Sequence, residues 1–197
     1  VADDVFVQKG DLNARMDGLE SWLPKNLDSH NASLFGVTRT TDRTRLGGVI
    51  VDGSALPIEE ALIEGASLVA REGGSPDHCF IPFDQYANLE KALGSKVNYD
   101  VAKTTDLDIG FQSIVVNGPR GPIKVIPDQN CTSGVAYMLQ LDTWSLNSLG
   151  PAVQILDGDG AGDLLRIYNK DAYEVRCGFY GNLASTSPGY NCRIALV

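Results

Sequence analysis

Residues 57–74 constrain the fold more than any other part of the chain. Pro57 suits the first turn of a helix, the acidic pair Glu59 and Glu60 follows where the helix dipole favours anions, and two glycines at 73 and 74 end the pattern. One wide apolar face has helical spacing: Ile58, Ala61, Leu62, Gly65, Leu68 and Val69. We therefore predict a core-facing helix over residues 57–72.

An amphipathic helix is also predicted before Pro24. Asp11 can cap it, and its apolar positions recur at steps of four, three and four: Leu12, Met16, Leu19 and Leu23. Residues 25–48 are polar and show no sustained period. We expect them to form a long loop or arm that contacts something outside its own core.

In the middle of the chain, the sequence predicts one short strand followed by one helix. Residues 79–81 are apolar and precede Pro82, and Asp84 is placed to cap a helix that ends at Gly94. Residues 95–110 are polar without periodicity, so a second exposed loop is expected.

From Phe111 onward the pattern is typical of β-structure. Residues 111–116 and 123–126 flank a turn-rich hexapeptide and predict a hairpin, and residues 136–141 form another apolar run. Alternation over 173–180 and 191–196 predicts a C-terminal antiparallel pair. The fold class is therefore α+β.

Charge and composition exclude several functions. Lys+Arg total 16 against 25 Asp+Glu, a net charge of −9, which argues against a basic nucleic-acid reader. No apolar run approaches the ~20 residues of a membrane span, and Val1 to Asp4 do not begin a signal peptide, so we expect a soluble protein with no membrane partner. The four cysteines are widely spaced and the two histidines are His30 and His78, a poor set for zinc, so free thiols in a reducing compartment are expected.

The best candidate for chemistry is an acidic loop. The segment with Asp157, Asp159 and Asp163 places carboxylates at alternate positions, as the first residues of a calcium-binding loop do. The pattern is incomplete, because Ala161 stands where a full loop has an oxygen ligand and Tyr168 stands where it has a bidentate Glu. A solvated, glycine-rich surface loop is the competing interpretation, and no metal-ligating residue is assigned.

Other combinations have simpler structural explanations. Residues 118–124 lack Walker spacing and contain two prolines, which favours a tight turn. His78 and Cys79 are neighbours in an extended segment and point to opposite faces, so they cannot share a proton. His30 lies in the polar loop, where a solvated side chain is the default. We predict no catalytic, cofactor-binding or metal-binding residue, no cofactor and no enzymatic activity.

Two stretches resemble a tailed-phage major capsid protein of the Hong Kong 97-type fold. They are GGSPDHCFIPFDQYANLEKALGSK at residues 73–96, and GPRGPI at 118–123 together with YMLQLDTW at 137–144. The resemblance implies a spine helix over 57–72. It also implies the following division: an N-terminal arm and extended-loop region (1–48), a peripheral domain (49–76 and 164–197) and a mixed α/β axial domain (77–163).

The function implied by this resemblance is structural. Hexamers and pentamers would form an icosahedral head around double-stranded DNA, in virions assembled in the bacterial host cytoplasm. The implied partners are further copies, a portal, decoration or scaffolding proteins, and DNA held by weak non-specific contacts. Candidates for contacts with acidic neighbours or phosphate are Arg39, Arg43, Arg45 and Arg193, with solvated positions as the alternative.

Some alternatives stay open on the sequence alone. A nanocompartment shell or a gene-transfer particle would share the fold. A small metal-dependent enzyme or a monomeric binding domain could instead use the loop with Asp157, Asp159 and Asp163. No motif assigns the Lys, Asn and Glu of an isopeptide cross-link.

Overall fold

A computed structural model describes residues 8, 10, 15–27, 31–94, 114–151, 154–155 and 165–196. The helices are α1 (Leu19–Trp22), α2 (Arg43–Gly47), α3 (Ile58–Glu72) and α4 (Phe83–Gly94), with 3₁₀ turns at Leu141–Thr143 and Pro188–Tyr190. The strands are β1 (Ser33–Leu34), β2 (Val37–Thr38), β3 (Val49–Asp52), β4 (His78–Ile81), β5 (Ile114–Gly118), β6 (Gly121–Pro127), β7 (Val135–Leu139), β8 (Trp144–Ser148), β9 (Gln154–Ile155), β10 (Leu165–Arg166), β11 (Tyr173–Glu174), β12 (Cys177–Gly178), β13 (Gly181–Ser185) and β14 (Cys192–Ala195). The fold mixes helices and strands, as predicted.

Helix α3 confirms the helix predicted over residues 57–72. Pro57 occupies the N-cap position, and Glu59 and Glu60 lie in the first turn. At the other end Gly73 has φ 102°, and the Gly74 N–H donates to the carbonyl of Val69 at 3.0 Å. A left-handed cap of this kind costs glycine little. The assignment of α3 as a spine helix stays a prediction.

Six strands form a central sheet in the order β3-β14-β7-β4-β6-β5. β3 is parallel to β14 and β4 is parallel to β6, whereas the other neighbours are antiparallel. The inner strand β7 is buried at every position. Because side chains alternate along a strand, those of β7 divide between two cores, one on each face of the sheet.

Helices α3 and α4 cover one face. Ala61, Leu62, Ala66 and Val69 of α3 share a core with strand residues that include Val51, Met138 and Ile194. Gly65 lets the helix approach closely, since a Cβ at this position would lie 2.6 Å from Cδ1 of Ile194. Leu89 brings α4 into the same core.

The N-terminal segment covers the other face. The second core contains Leu19, Leu23, Cys131, Val135, Tyr137, Leu139 and Leu183, with Trp22, Phe80 and Trp144 packed against it. Residues 15–27 are therefore part of the packed layer that protects the sheet.

The predicted N-terminal helix is wrong for residues 15–18, which are not helical. Within the described residues 15–24, the helix is limited to Leu19–Trp22, and Gly18 before it has extended backbone. Met16 is buried although it is not helical. Its apolar spacing reflects burial against the sheet rather than one continuous helix. Asp11 and Leu12 lie outside the described residues.

Two other predictions concern helix α4 and the hairpin. Helix α4 begins at Phe83, so Asp84 lies in the first turn and not at the predicted cap position. Its carboxylate still interacts favourably with the helix dipole from the first turn. The predicted hairpin is confirmed, because β5 pairs antiparallel with β6 from Ile114 to Gly118.

The predicted C-terminal antiparallel pair is also wrong. β14 lies between β3 and β7, whereas β11 pairs with β10 and β12 pairs with β9. The reason is burial: Cys192 and Ile194 are fully buried, and an inner position in the sheet gives them neighbours on both sides.

The division into domains stays a prediction. The central sheet contains β3 and β14, from the segments assigned to a peripheral domain, and β4 to β7, from the segment assigned to an axial domain. The described residues of these strands contribute to one core beneath α3.

Candidate assembly surfaces

Arg39 is an internal structural residue. Its guanidinium donates hydrogen bonds to the carbonyls of Ser21 (2.6 Å), Leu46 (2.9 Å) and Trp22, and the residue is 2% exposed. Burial is the main cause that lowers its pKa, to about 10, so the side chain is charged at neutral pH. The prediction that Arg39 contacts phosphate is wrong, because its own chain encloses the side chain. The acidic residue that interacts with its charge is Asp17 of the same chain.

Arg45 lies at the surface of helix α2. The Asp42 carboxylate caps this helix by accepting from the Arg45 N–H at 3.2 Å, and it forms an ion pair with the Arg45 side chain at 3.7 Å. Such an exposed pair contributes about 0–1 kcal/mol. A contact between Arg45 and a neighbouring subunit stays a prediction.

Arg43 and Arg193 line one cleft with a third cation, Lys25. The cleft has a volume of about 440 Å³. Its floor comes from β3 and β14, and its lining residues are Lys25, Asn26, Arg43, Thr44, Gly48, Ile50, Val51, Asp52, Arg193 and Ala195. Within the described part of the chain, Asp52 is the single acidic residue in this lining. We call this feature the basic cleft.

Contacts inside the chain position two of the three cations. The Arg193 guanidinium donates to the carbonyl of Leu23 at 3.4 Å and lies 6.0 Å from the centroid of the Tyr137 ring. Arg43 donates to the carbonyl of Lys25. A carbonyl or a ring holds a cation in place without neutralising it, so the basic cleft keeps its positive charge.

The described residues between 144 and 185 (144–151, 154–155 and 165–185) form a second β-structure, a set of two-stranded pairings apart from the central sheet. β8 pairs with β13, β9 with β12, and β10 with β11, all antiparallel and nested one inside the next. We call this feature the ribbon.

The ribbon is anchored at its base and exposed beyond it. The Trp22 Nε1–H donates to the carbonyl of Leu183 at 2.9 Å, and the Trp144 Nε1–H donates to Oδ1 of Asn191 at 2.8 Å. Farther along, large apolar side chains are exposed: Leu146, Leu149, Ile155, Tyr168, Tyr173, Val175 and Tyr180. Exposure reaches 85% at Leu149 and 104% at Tyr168. A two-stranded ribbon is marginal on its own, and exposed apolar surface of this kind marks interaction sites.

A small hairpin formed by β1 and β2 presents a second apolar surface. Its turn contains Phe35 at φ 50° and Gly36 at φ 80°. Phe35 is 57% exposed, and its ring centroid lies 5.8 Å from that of Trp22. Residues 25–48, expected as a loop or arm, thus contain this hairpin and helix α2.

The described residues contain no group of histidine, cysteine and acidic side chains that could hold a metal ion. Asp157, Asp159 and Asp163 lie outside them, as does His30. Cys79, Cys131 and Cys192 are buried in the two cores, whereas Cys177 is exposed on the ribbon. Burial raises the pKa of both Cys79 and Cys131 to about 12, which leaves them as protonated packing groups.

His78, Cys79 and the turn at residues 118–124, for which the sequence offers simpler structural explanations, each make contacts within the chain. Oδ2 of Asp77 lies 3.1 Å from Nδ1 of His78, while Cys79 points into the core. The turn at Pro119 and Arg120 is tied to the end of α3, since Arg120 donates to the Gly73 carbonyl at 2.9 Å.

None of the helices in the described segments is long and apolar enough to cross a membrane.

Comparison with known proteins decides the family. The family model described as SU10 major capsid protein matches residues 5–164. The chain belongs to the SU10 major capsid protein family. A search among curated protein sequences found no match.

The fold of the chain is also similar to that of a capsid subunit in a solved structure. The chain is similar to a subunit in the "Cyanophage A-1(L) capsid asymmetric unit", with a TM-score of 0.60 and 15% sequence identity. The match covers 98% of this chain and 64% of the other. The resemblance to a tailed-phage major capsid protein is confirmed.

Sequence reasoning missed the ribbon as a unit. The alternation over 173–180 signalled strands, but their partners lie before them in the chain, beyond a segment that is rich in glycine and aspartate. It also missed the basic cleft, because Lys25, Arg43 and Arg193 lie in three separate segments of the sequence. Tertiary contacts bring these segments together: Arg193 donates to the carbonyl of Leu23, and Arg43 donates to the carbonyl of Lys25.

Proposed function

We propose that this chain is the shell-forming part of a phage head protein with a Hong Kong 97-type fold. Many copies assemble as hexamers and pentamers into an icosahedral shell around double-stranded DNA. The observation that carries this proposal is the SU10 major capsid protein match over residues 5–164. The capsid subunit with a TM-score of 0.60 supports it from the fold.

The ribbon supports self-association independently of the comparisons. Leu149, Tyr168 and Tyr173 are exposed on a two-stranded structure that has no covering layer among the described residues. Burying apolar surface yields roughly 25 cal/mol per Å², so this surface favours a neighbouring protein molecule over water. A shell subunit meets such neighbours as copies of itself.

The remaining assignments belong to the same proposal. Helix α3 serves as the spine helix. A portal and decoration or scaffolding proteins contact the shell, DNA touches it through weak non-specific contacts, and assembly takes place in the host cytoplasm before the virion is released.

Electron microscopy of the expressed gene product tests the proposal. We expect closed shells or capsomer rings, and light scattering should report particles far larger than one chain. A protein that stays monomeric under every assembly condition would contradict the proposed function.

A further inference from the structure

The basic cleft is a separate feature from the apolar ribbon, and its chemistry indicates a different contact. We propose that it binds an extended, carboxylate-bearing segment of a second copy of this chain. This inference rests on the proposed self-assembly and names one surface that takes part in it.

The first observation is charge. Lys25, Arg43 and Arg193 line the cleft, with Asp52 as the single acidic residue of the described lining. The Oδ1 atom of Asp52 accepts hydrogen bonds from Oγ of Ser54 at 2.6 Å and from the Ser54 N–H at 3.3 Å, and its charge interacts with that of Lys25. One negative charge against three positive ones leaves the lining cationic. The chain as a whole has a net charge of −9. A cationic cleft on an anionic chain is complementary to the rest of the surface of another copy.

The second observation is preorganisation. Arg193 donates a hydrogen bond to the Leu23 carbonyl and lies over the Tyr137 ring. Arg43 donates a hydrogen bond to the Lys25 carbonyl. Cations that are already positioned lose little side-chain entropy when an anion binds. An arginine fork then donates two parallel hydrogen bonds to one carboxylate.

The third observation is the edge of the central sheet. β3 is the terminal strand, and in the described residues only β14 pairs with it. The N–H groups of Val49 and Gly53 donate to the carbonyls of Asn191 and Ala195, on the β14 side. Because backbone groups alternate along a strand, the N–H and C=O of Ile50 point away from β14. Ile50 is also part of the cleft lining.

These observations favour a peptide over DNA. A concave cleft of about 440 Å³ accommodates a few side chains, whereas a duplex is read by cations along an extended surface. An open strand edge pairs with another extended chain by β-augmentation, in which backbone hydrogen bonds give affinity and neighbouring side chains give specificity. Carboxylates on such a chain meet the three cations.

Carbodiimide cross-linking with isotope-mixed copies tests the contact directly. Particles are formed from equal amounts of ¹⁴N and ¹⁵N protein, treated with the zero-length reagent and analysed by mass spectrometry. We expect Lys25 joined to an Asp or Glu of the other isotope. Links only within one isotope, or no link at Lys25 in particles that form normally, would overturn the proposal.

A charge-reversed variant provides the second measurement. We expect the double substitution Lys25→Glu and Arg43→Glu to lower particle yield about tenfold or more, because like charges then meet in the cleft. The matched control, Arg71→Glu with Lys91→Glu, makes the same change in net charge on the exposed ends of α3 and α4. Unchanged far-ultraviolet circular dichroism of the unassembled chains verifies that both variants fold.

The outcomes separate this inference from the proposed function. Failure of the unmodified protein to form particles contradicts the proposed function. Normal particle yield from the cleft variant contradicts the inference alone, and so does normal yield combined with loss of bound DNA, which would assign the cleft to phosphate.

Discussion

The central sheet and the ribbon are both built from short β-strands, yet they obtain their stability in different ways. The sheet has a core on each face, with α3 and α4 on one side and residues 15–27 on the other. The ribbon has a buried base at Leu183 and exposed apolar side chains beyond it. Both faces of the sheet are therefore covered within one chain, whereas the ribbon leaves apolar side chains exposed, and we propose that a neighbouring copy covers them. Four experiments test this difference.

The largest contrast is expected in thiol reactivity. In the unassembled chain, iodoacetamide at pH 8 should label Cys177 on the ribbon and leave Cys79, Cys131 and Cys192 unmodified until denaturant is added. Burial raises the pKa of Cys79 to about 12, so little thiolate forms until the pH approaches that value. Its labelling should be at least about a thousandfold slower than that of an ordinary exposed thiol. Equal labelling of Cys79 and Cys177 by mass spectrometry would break the comparison.

The next effect concerns packing. Leu62 is fully buried under the sheet, and we expect Leu62→Ala to lower the free energy of unfolding by about 3 kcal/mol, through lost burial and the cavity left behind. The matched change on the ribbon, Leu149→Ala, removes the same atoms from an exposed site and should change it by less than about 0.5 kcal/mol. Urea denaturation of the unassembled chains measures both. A loss at Leu149 as large as that at Leu62 would show that the ribbon is packed inside the chain.

A third experiment asks whether the N-terminal layer belongs to the sheet. Arg39→Met leaves the carbonyls of Ser21, Trp22 and Leu46 without their donor, and we expect a loss of about 2–3 kcal/mol in unfolding free energy. Arg39→Lys keeps the charge but not the planar fork, so it should recover only part of the stability. If Arg39→Met unfolds at the same urea concentration as the parent chain and yet fails to form particles, Arg39 acts between subunits.

The smallest effect on the single chain is expected at the outer ribbon. Tyr168→Ser with Tyr173→Ser should shift the unfolding free energy by no more than about 0.5 kcal/mol, since both side chains are exposed. Particle yield should nevertheless fall, because these side chains are proposed to be covered by a neighbour. Tyr190→Ser serves as the control, because Tyr190 lies outside the ribbon, in the 3₁₀ turn Pro188–Tyr190 beside Gly73 and Gly74. Normal yield from the ribbon variant would remove the ribbon from the assembly surface.

Local patterns predicted the elements well where the physical cause was local. Helix α3 was predicted because Pro57, its apolar face and the glycines after Glu72 all act within one helix. The β5–β6 hairpin was predicted because its turn residues lie between its strands. The same local reasoning failed at Met16, whose burial comes from the sheet and not from a helix.

The candidate surfaces were less predictable. Arg39 and Arg193 look alike in the sequence, but one is enclosed by carbonyls of its own chain and the other lines an open cleft. Nothing near either residue in the sequence distinguishes them, since their surroundings come from segments far along the chain.

The sequence by itself determined the α+β class, helix α3 and the resemblance to tailed-phage capsid proteins, because these depend on spacing, capping and motif letters along one stretch of chain. Only the tertiary structure decided that β14 lies inside the sheet, that the strands β8 to β13 pair into the ribbon and that Lys25, Arg43 and Arg193 share a cleft. The physical reason is that strand pairing and burial join residues distant in sequence, and the free energy of those contacts is shared by all the segments that meet.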